Sequence, residues 1–300
     1  MPEVNCNLCG DDDFAEVFPA EPARGRSHRI VRCRRCQLMY ANPQLVVDCE
    51  RFEGEQRPFD PEGADRQYFQ KQLTQMPDYE RVVGVLNSFC PQRGRLLEVG
   101  SYLGLLLDRF RETGWDTTGL EPDRPVATWS RARFGLHLLE QTLPCPELAD
   151  GQFDAAVMLH VIEHVPDPGS VVRELRRLVR PGGMLVVETP RFDSLLFHLL
   201  GRRERSINNC PGHIYFFTVP TLRRLLEQNG FVVDRVDLVG RTLTVERLLY
   251  NVGLVSRHAG LQRLLGRLAL ALRLDRVRLH LNFRDMQRMY CRAKQVARLT

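Results

Sequence analysis

Four of the nine cysteines form two closely spaced pairs near the start of the chain. Cys6 and Cys9 make one Cys-x-x-Cys turn, Cys33 and Cys36 make a second, and 23 residues separate the turns. Two such turns can deliver four thiolates to one tetrahedral ion, which predicts a structural zinc ribbon without an open position for water. A segment this small has little core, so the metal would supply its folding free energy. A redox pair is the alternative.

A glycine turn carries a second group of residues that could do chemistry. It reads Glu98-Val-Gly-Ser-Tyr-Leu-Gly104. A dinucleotide fingerprint would need glycine where Tyr102 and Leu105 stand, and no Gly-Lys-Ser/Thr follows as in a Walker A loop. Glu121, about twenty residues on, can accept both ribose hydroxyls of an adenosine, while Glu98 can meet an ammonium group. The pattern therefore predicts a site for a cationic amino-acid nucleoside.

Histidines and a glutamate follow a later apolar segment. His160-x-x-Glu163-His164 matches a zinc-hydrolase pattern that needs one helix to carry both histidines. These residues directly follow the predicted strand 155–159 and are ended by prolines at 166 and 168. A hydrolytic zinc site is therefore not favoured.

Alternating helix and strand patterns must position these groups. The predicted strands are 95–100, 117–121, 136–140, 153–159, 184–189, 231–239 and 289–293; the predicted helices are 78–89, a segment through 113, 123–135, 170–180 and 218–229. Strands that are apolar almost throughout, joined by amphipathic helices, indicate a parallel sheet covered on both faces. The fold class is therefore a doubly wound α/β domain.

Three regions follow from these patterns. Residues 1–45 are predicted to be the zinc ribbon, 46–77 a linker with a short helix, and 78–300 the α/β domain, with an Arg/Leu-rich helical insertion at 241–282 before the last strand. A hydrophobic content of 43% excludes a disordered chain. Without an apolar run near 18 to 20 residues or a signal-like start, we expect a cytoplasmic chain.

Five segments in order resemble the class I S-adenosylmethionine (SAM)-dependent methyltransferases, specifically the small-molecule group. They are Leu96-Leu-Glu-Val-Gly-Ser-Tyr-Leu-Gly104, Gly119-Leu-Glu-Pro122, Phe153-Asp154 running to His160-Val-Ile-Glu-His-Val-Pro-Asp-Pro168, Leu178-Val-Arg-Pro-Gly-Gly183 and His213-Ile-Tyr-Phe-Phe-Thr218. The resemblance covers roughly residues 78–240 and implies a Rossmann-like sheet that binds SAM. Many methyltransferases of this kind carry an N-terminal ribbon, including enzymes of sugar and natural-product pathways.

The resemblance also implies which residues bind the cofactor. Glu98, Gly100, Ser101 and Gly104 would hold the methionine part of SAM, Glu121 with Pro122 the ribose, Thr142 and Leu143 the adenine, and His160 would lie beside the cofactor. The family usually has glycine where Tyr102 stands. A side chain at this position would either crowd the methionyl group or turn outward.

Methyl transfer requires an aligned nucleophile and removal of its proton, for which a histidine of near-neutral pKa is suited. The resemblance places His213 at the open edge of the cofactor pocket, so it is the first candidate base and His164 the second. Tyr215 is a candidate for orienting the substrate, with simple packing as its alternative. His213 fixing its loop by hydrogen bonds is equally open. Some quinone O-methyltransferases with a similar Glu-His segment use a divalent cation, which makes Glu163 and His164 a further metal candidate.

Charge and apolar pattern in the last hundred residues suggest the partners. Residues 201–300 hold 19 Lys and Arg against 7 Asp and Glu. The stretch 261–274 suits a cap over the substrate pocket, a homodimer contact or a membrane-surface helix. Arginines 202, 203 and 205 would suit an anionic acceptor such as a nucleotide sugar.

The leading function is SAM-dependent O- or C-methylation of a small-molecule acceptor, such as a sugar or a natural-product intermediate. RNA methylation and a methyltransferase-like scaffold without activity are the alternatives. Since no recognised RNA-binding module is present, no nucleic-acid partner is expected.

Overall fold

A computed structural model describes residues 3–21, 28–44, 57–201, 212–245 and 277–295 of the chain. The strands are β1 (Phe14–Phe18), β2 (Arg29–Cys33), β3 (Met39–Asn42), β4 (Arg95–Val99), β5 (Asp116–Leu120), β6 (Leu138–Leu139), β7 (Phe153–Leu159), β8 (Val179–Pro190), β9 (Tyr215–Phe216), β10 (Phe231–Thr244) and β11 (Arg278–Ala293). The helices are α1 (Arg66–Thr74), α2 (Met76–Phe89), α3 (Leu105–Glu112), α4 (Arg124–Phe134), α5 (Pro168–Leu178), α6 (Leu195–Leu200) and α7 (Val219–Gln228). Among these helices, none is long and apolar enough to cross a membrane.

The central sheet confirms the doubly wound α/β prediction. Its strand order is β10-β11-β8-β7-β4-β5-β6, and the pairs among β8, β7, β4, β5 and β6 are all parallel. Strand β11 pairs antiparallel with both β8 and β10. The chain leaves β4 toward β5 on one side and later returns to β7 on the other. This change of direction opens a crevice at the carboxyl end of β4, where ligands of such sheets bind.

The central strands are apolar on both faces because helices cover both. Leu96 and Leu97 of β4 are both fully buried, yet they point to opposite faces and belong to separate apolar clusters. Alternating residues of β7 divide in the same way, with Ala155 in one cluster and Ala156 in the other. The strand ends are therefore held rigidly in register, which fixes the residues that follow them.

A second, four-stranded sheet contains the cysteine-rich segment. Its order is β1-β2-β3-β9, and each neighbouring pair is antiparallel. Strand β9 comes from the far part of the chain, next to His213. The sequence pattern did not predict β9, because a two-residue strand carries no periodicity of its own.

The prediction of a helical stretch over 241–282 is wrong at both ends. Residues 241–244 continue β10, and Arg278 begins β11, with Arg241 opposite Leu281 and Thr244 opposite Arg278. The partner strand extends the ladder and overrides the Arg/Leu composition, as strand preference depends on cross-strand neighbours. Residues 246–276, including the 261–274 stretch, lie outside the described residues, as do arginines 202, 203 and 205.

Candidate functional site

Two glycines shape the turn after β4. Gly100 has φ +73° and Gly104, the N-cap residue of α3, has φ +70°. A Cβ at Gly100 would lie 2.5 Å from Cγ2 of Val161, and one at Gly104 would lie 2.4 Å from Cδ1 of Leu136. Both positions therefore need glycine for backbone conformation and for space.

Tyr102 occupies the middle of this turn in the left-handed region, with φ +46°. Its side chain packs against the apolar cluster of Leu103, Leu105 and Val126. Aromatic side chains from the segment before α2 and from α4 complete this cluster, namely Phe59, Phe69, Trp129 and Phe134. The ring therefore packs among the apolar and aromatic side chains of this cluster.

Glu121 follows β5 and is held by backbone amides. The Tyr102 N–H donates to Oε2 at 2.7 Å, and the Asp123 N–H donates to Oε1 at 2.9 Å. The residue is 6% exposed, and burial outweighs these bonds and raises the pKa of Glu121 to about 7. Since each carboxylate oxygen has two acceptor sites, both retain capacity for a ribose hydroxyl.

Glu98 and Ser101 present buried polar atoms to the same turn. Within the described part of the chain, Oε2 of Glu98 and Oγ of Ser101 have no hydrogen-bond partner. Burial, reinforced by the charge of Glu121, raises the pKa of Glu98 well above its usual value. Unpaired buried groups of this kind are costly. A carboxylate and a hydroxyl fit the ammonium-bearing end of an amino-acid nucleoside.

The predicted adenine segment lies at the same edge of the sheet. Strand β6 pairs parallel to β5, and the Glu121 N–H donates to the Leu139 carbonyl at 3.0 Å. Thr142, which follows β6, is exposed, whereas Leu143 is half-buried against the main apolar cluster. Pro122 is exposed next to Glu121.

A second cluster brings together Glu163, His164 and His213. One carboxylate oxygen of Glu163 and one ring nitrogen of each histidine lie within 4.8 Å of one another. Glu163 is fully buried and His213 is 6% exposed. The two imidazole rings meet edge to face, with centroids 4.6 Å apart. The same donors would also suit a divalent cation.

Backbone bonds fix this cluster. The N–H groups of Ile214 and Tyr215 donate to the Glu163 carbonyl at 2.8 and 3.1 Å. Nδ1 of His164 lies 3.0 Å from the Gly212 carbonyl, so Nδ1 carries the proton and Nε2 is the basic nitrogen of the neutral ring. The hydroxyl of Tyr215, which is 2% exposed, donates to the Pro166 carbonyl at 3.0 Å.

His160 lies at the end of β7 between two buried carboxylates. Its Nε2 is 3.3 Å from Oε1 of Glu188, and its Nδ1 is 3.7 Å from Oε1 of Glu163. Partial loss of hydration opposes the charge of His160, of which 42% of the side chain is exposed, but the two carboxylates outweigh this and raise its pKa to about 9. His160 therefore carries a proton at neutral pH. Its backbone lies in the left-handed region, with φ +57°.

Arg288 completes this charged chain from the neighbouring strand β11. Its Nε donates to Oε2 of Glu188 at 2.5 Å, and its side chain is only 4% exposed. Burial opposes ionisation of Glu188, but Arg288 and His160 lower the pKa of that carboxyl to about 2. Sequence reasoning missed both residues, although a charged residue inside each of two apolar strands was a signal that could have identified them.

The four cysteines of the two knuckles converge. Sγ of Cys6 lies 3.3 Å from Sγ of Cys36, and Sγ of Cys9 lies 3.5 Å from Sγ of Cys33. All four Sγ atoms lie within 4.8 Å of one another. These distances are far longer than a disulfide bond and fit four thiolates around one ion, as in a zinc ribbon.

The doubly wound sheet, its glycine turn and the carboxylates at the carboxyl ends of two neighbouring strands define the architecture of a SAM-dependent methyltransferase. A family model described as a methyltransferase domain matches residues 69–236. The chain belongs to this methyltransferase-domain family.

Relatives and solved structures agree with this assignment. The ubiquinone biosynthesis O-methyltransferase of Bordetella avium is 35% identical over 118 residues, which are 37% of this chain and 49% of that protein. The alignment thus spans about half the length of that relative. A SAM-dependent methyltransferase of Thermotoga maritima has a TM-score of 0.50 at 19% identity, covering 77% of this chain and 95% of the other. A geranyl diphosphate methyltransferase solved with SAM also has a TM-score of 0.50, at 14% identity, covering 79% and 93%. These two likenesses show the fold.

Proposed function

We propose that this chain transfers the methyl group of SAM to a hydroxyl oxygen of a small biosynthetic acceptor. The observation that carries the proposal is the pair of histidines against a buried carboxylate at one side of the crevice, with the partly unsatisfied carboxylate turn at the other. The name of the Bordetella avium relative, an O-methyltransferase, favours oxygen as the methylated atom.

At the cofactor end, this chain's residues provide the binding groups. When bound, SAM supplies an activated methyl group. We assign the aminoacyl part to Glu98 and Ser101, whose buried atoms have unused hydrogen-bonding capacity. Glu121 would accept the ribose hydroxyls, with Pro122, Thr142 and Leu143 along the nucleoside beside it. Gly100 and Gly104, with their positive φ angles, would set the course of the backbone around the ligand.

At the acceptor end, His213 is assigned the role of proton acceptor. Its ring lies against His164, and Glu163 is within 4.8 Å of both imidazoles. A buried carboxylate at this distance favours the imidazolium that forms when a hydroxyl loses its proton. His164, bound to the Gly212 carbonyl, would hold the backbone next to His213 in place. Tyr215, with its hydroxyl bound to Pro166, would contribute packing and not chemistry.

We further propose that the four cysteines bind a structural zinc ion. Their four Sγ atoms lie within 4.8 Å of one another and offer the four thiolates of a closed tetrahedral site, which supports this assignment. Zinc would then take no part in the methyl transfer.

Two measurements test the proposed function. Titration calorimetry with SAM and with S-adenosylhomocysteine should show binding to the full chain. Incubation with SAM and a panel of hydroxylated aromatic acids and sugars should release S-adenosylhomocysteine, with a product heavier by one methyl group. No heat with millimolar cofactor would exclude the proposal, and methylation of carbon alone would exclude its choice of oxygen.

A further inference from the structure

The ribbon and the candidate acceptor site share one apolar core. Leu8, Leu38 and Tyr40 of the ribbon are buried in the same cluster as Ile214 and Phe217, the residues that flank β9. The rings of Tyr40 and Tyr215 are 6.5 Å apart between centroids. The cysteine-rich segment therefore packs on the very strand that follows His213.

A backbone ladder makes the first connection from the ribbon to His213. Strand β3 pairs with β9, with Tyr40 opposite Tyr215, and the Ala41 N–H donates to the Ile214 carbonyl at 2.8 Å. On its other side, the Ile214 N–H donates to the Glu163 carbonyl at 2.8 Å. Ile214, the residue after His213, is thus hydrogen-bonded to the ribbon through its carbonyl and to the loop that carries Glu163 through its N–H.

Asn7 makes the second connection, from inside the first knuckle. Its Nδ2 donates to Oδ1 of Asp167 at 3.1 Å, and its Oδ1 accepts from the Gly169 N–H at 3.2 Å. Asp167 is the N-cap residue of α5 and also accepts from the Ser170 N–H at 2.9 Å. Asn7 therefore fastens the end of the loop that carries Glu163 and His164.

Among the described residues, no hydrogen bond joins the ribbon to the cofactor end, although Val99 and Leu120 belong to the same apolar cluster as the ribbon. The Gly100 N–H donates to the Leu120 carbonyl, and the Glu121 N–H donates to the Leu139 carbonyl. These bonds lie within the central sheet. The described hydrogen bonds of the ribbon to the rest of the site therefore go to the acceptor end, whereas those of the cofactor end run between the parallel strands.

We propose that the metal-bound ribbon holds the His213 segment and the 160–168 loop in register, and that Asn7 is a positioning residue for that loop. This inference rests on the proposed zinc site. The segment has three short strands and little core of its own, so metal binding and ribbon folding are one event. Loss of the ion would release β3 from β9 and Asn7 from α5.

Hydrogen exchange followed by mass spectrometry tests this without an acceptor. Zinc content is first measured on the full chain, and zinc is then removed with a chelator. We expect exchange in the peptide spanning 212–217 to rise about tenfold or more, since local opening follows the loss of packing.

A variant that leaves the four cysteines in place tests the role of Asn7 separately. Asn7→Ala removes both side-chain bonds to the start of α5, so exchange at the Gly169 amide should rise roughly 3- to 10-fold, the equivalent of one hydrogen bond. Arg34→Ala is the matched control, because Arg34 holds the same position in the second knuckle, is 64% exposed and pairs with Asp13. It should leave exchange at Gly169 unchanged.

These experiments distinguish the positioning role of the ribbon from the proposed zinc site and from the proposed methyltransferase function. Bound zinc whose removal leaves exchange over 212–217 unchanged would overturn the inference while preserving the zinc site. Equal exchange at Gly169 in Asn7→Ala and wild type would overturn the role of Asn7. A chain that neither contains nor takes up zinc would overturn both. Failure to bind SAM, with the exchange effects intact, would count against the methyltransferase function alone.

Discussion

The cofactor end and the acceptor end of the crevice are built in different ways. Glu98 and Glu121 belong to one strand-turn-helix-strand unit, and parallel pairing of β4 with β5 sets their separation. Glu163, His164 and His213 come from two distant segments, one of which forms a strand with the ribbon. The comparison teaches that a contiguous motif is enough to build the first end, whereas the second needs long-range contacts.

The two ends also differ in how their charges are balanced. At the cofactor end, burial raises the pKa of both carboxyl groups, and Glu98 keeps an atom without a partner in the described chain. At the acceptor end, Glu188 lies between His160 and Arg288, and its pKa is lowered to about 2. The first end is therefore suited to a cationic ligand. At the second end, His160 and Arg288 balance the charge of Glu188, while both carboxylate oxygens of Glu163 have no hydrogen-bond partner among the described residues.

Removing Arg288, which balances the buried charge of Glu188, should have the largest effect of the changes considered, and that effect is on stability. Arg288→Met would leave Glu188 charged and buried without its main partner, so the free energy of unfolding should fall by about 3 to 5 kcal/mol. Urea unfolding measures this. Arg292→Met is the matched control, because Arg292 lies on the same strand, is 49% exposed and pairs with Asp234. It should cost less than about 1 kcal/mol.

A double variant tests whether the cost of losing Arg288 comes from the unpaired charge of Glu188. Arg288→Met with Glu188→Met removes both charges and should recover most of the lost stability. If the single and double variants unfold at the same urea concentration, the buried pair is not what balances the acceptor end.

Loss of the candidate base should act on turnover and not on cofactor binding. His213→Ala should slow methyl transfer about 100-fold or more, since a positioned general base contributes on this order to the rate. Release of S-adenosylhomocysteine and calorimetry with SAM measure the two quantities. His198→Ala, at an exposed histidine of α6, should behave as wild type. Unimpaired turnover in His213→Ala would remove this residue from the mechanism.

At the cofactor end, loss of the candidate ribose ligand should act on SAM binding. Glu121→Ala should weaken SAM binding by about 1 to 3 kcal/mol through loss of charge-assisted hydrogen bonds to the ribose. Glu140→Ala is a suitable control, because Glu140 follows the next strand at the same edge and pairs with Arg131 on the surface. Unchanged affinity in Glu121→Ala would contradict its assignment to the ribose.

The smallest expected effect is a pH dependence of SAM binding. The pKa of Glu121 is about 7 in the free protein, and a bound cationic ligand favours the carboxylate, so binding releases protons below pH 7. Affinity should rise roughly fivefold from pH 6 to pH 7 and about twofold from pH 7 to pH 8. Calorimetry in two buffers of different ionisation enthalpy measures the proton release. Glu121→Gln should remove this contribution and leave a shallower profile, and an affinity that falls as pH rises would contradict the sign.

Several features were predictable from the sequence because their signals are local. The four cysteines, the turn from Glu98 to Gly104 and the carboxylate at 121 all depend on spacing within short segments. The surroundings of Tyr102 were not predictable, because they include aromatic residues of α1 and α4, which are distant from it in the sequence. Strand β9 was missed for the same reason, since its partner β3 lies far away in the sequence.

The sequence by itself determined the class of fold, the thiolate set for a metal and the carboxylates at the cofactor end. Tertiary structure alone decided that His213 meets His164 and Glu163, that Arg288 balances Glu188, and that the ribbon packs on the segment behind His213. The physical reason is that residue spacing within one turn or one strand fixes neighbours a few ångströms apart. Contacts between distant segments exist only once apolar burial has brought the strands and the ribbon together.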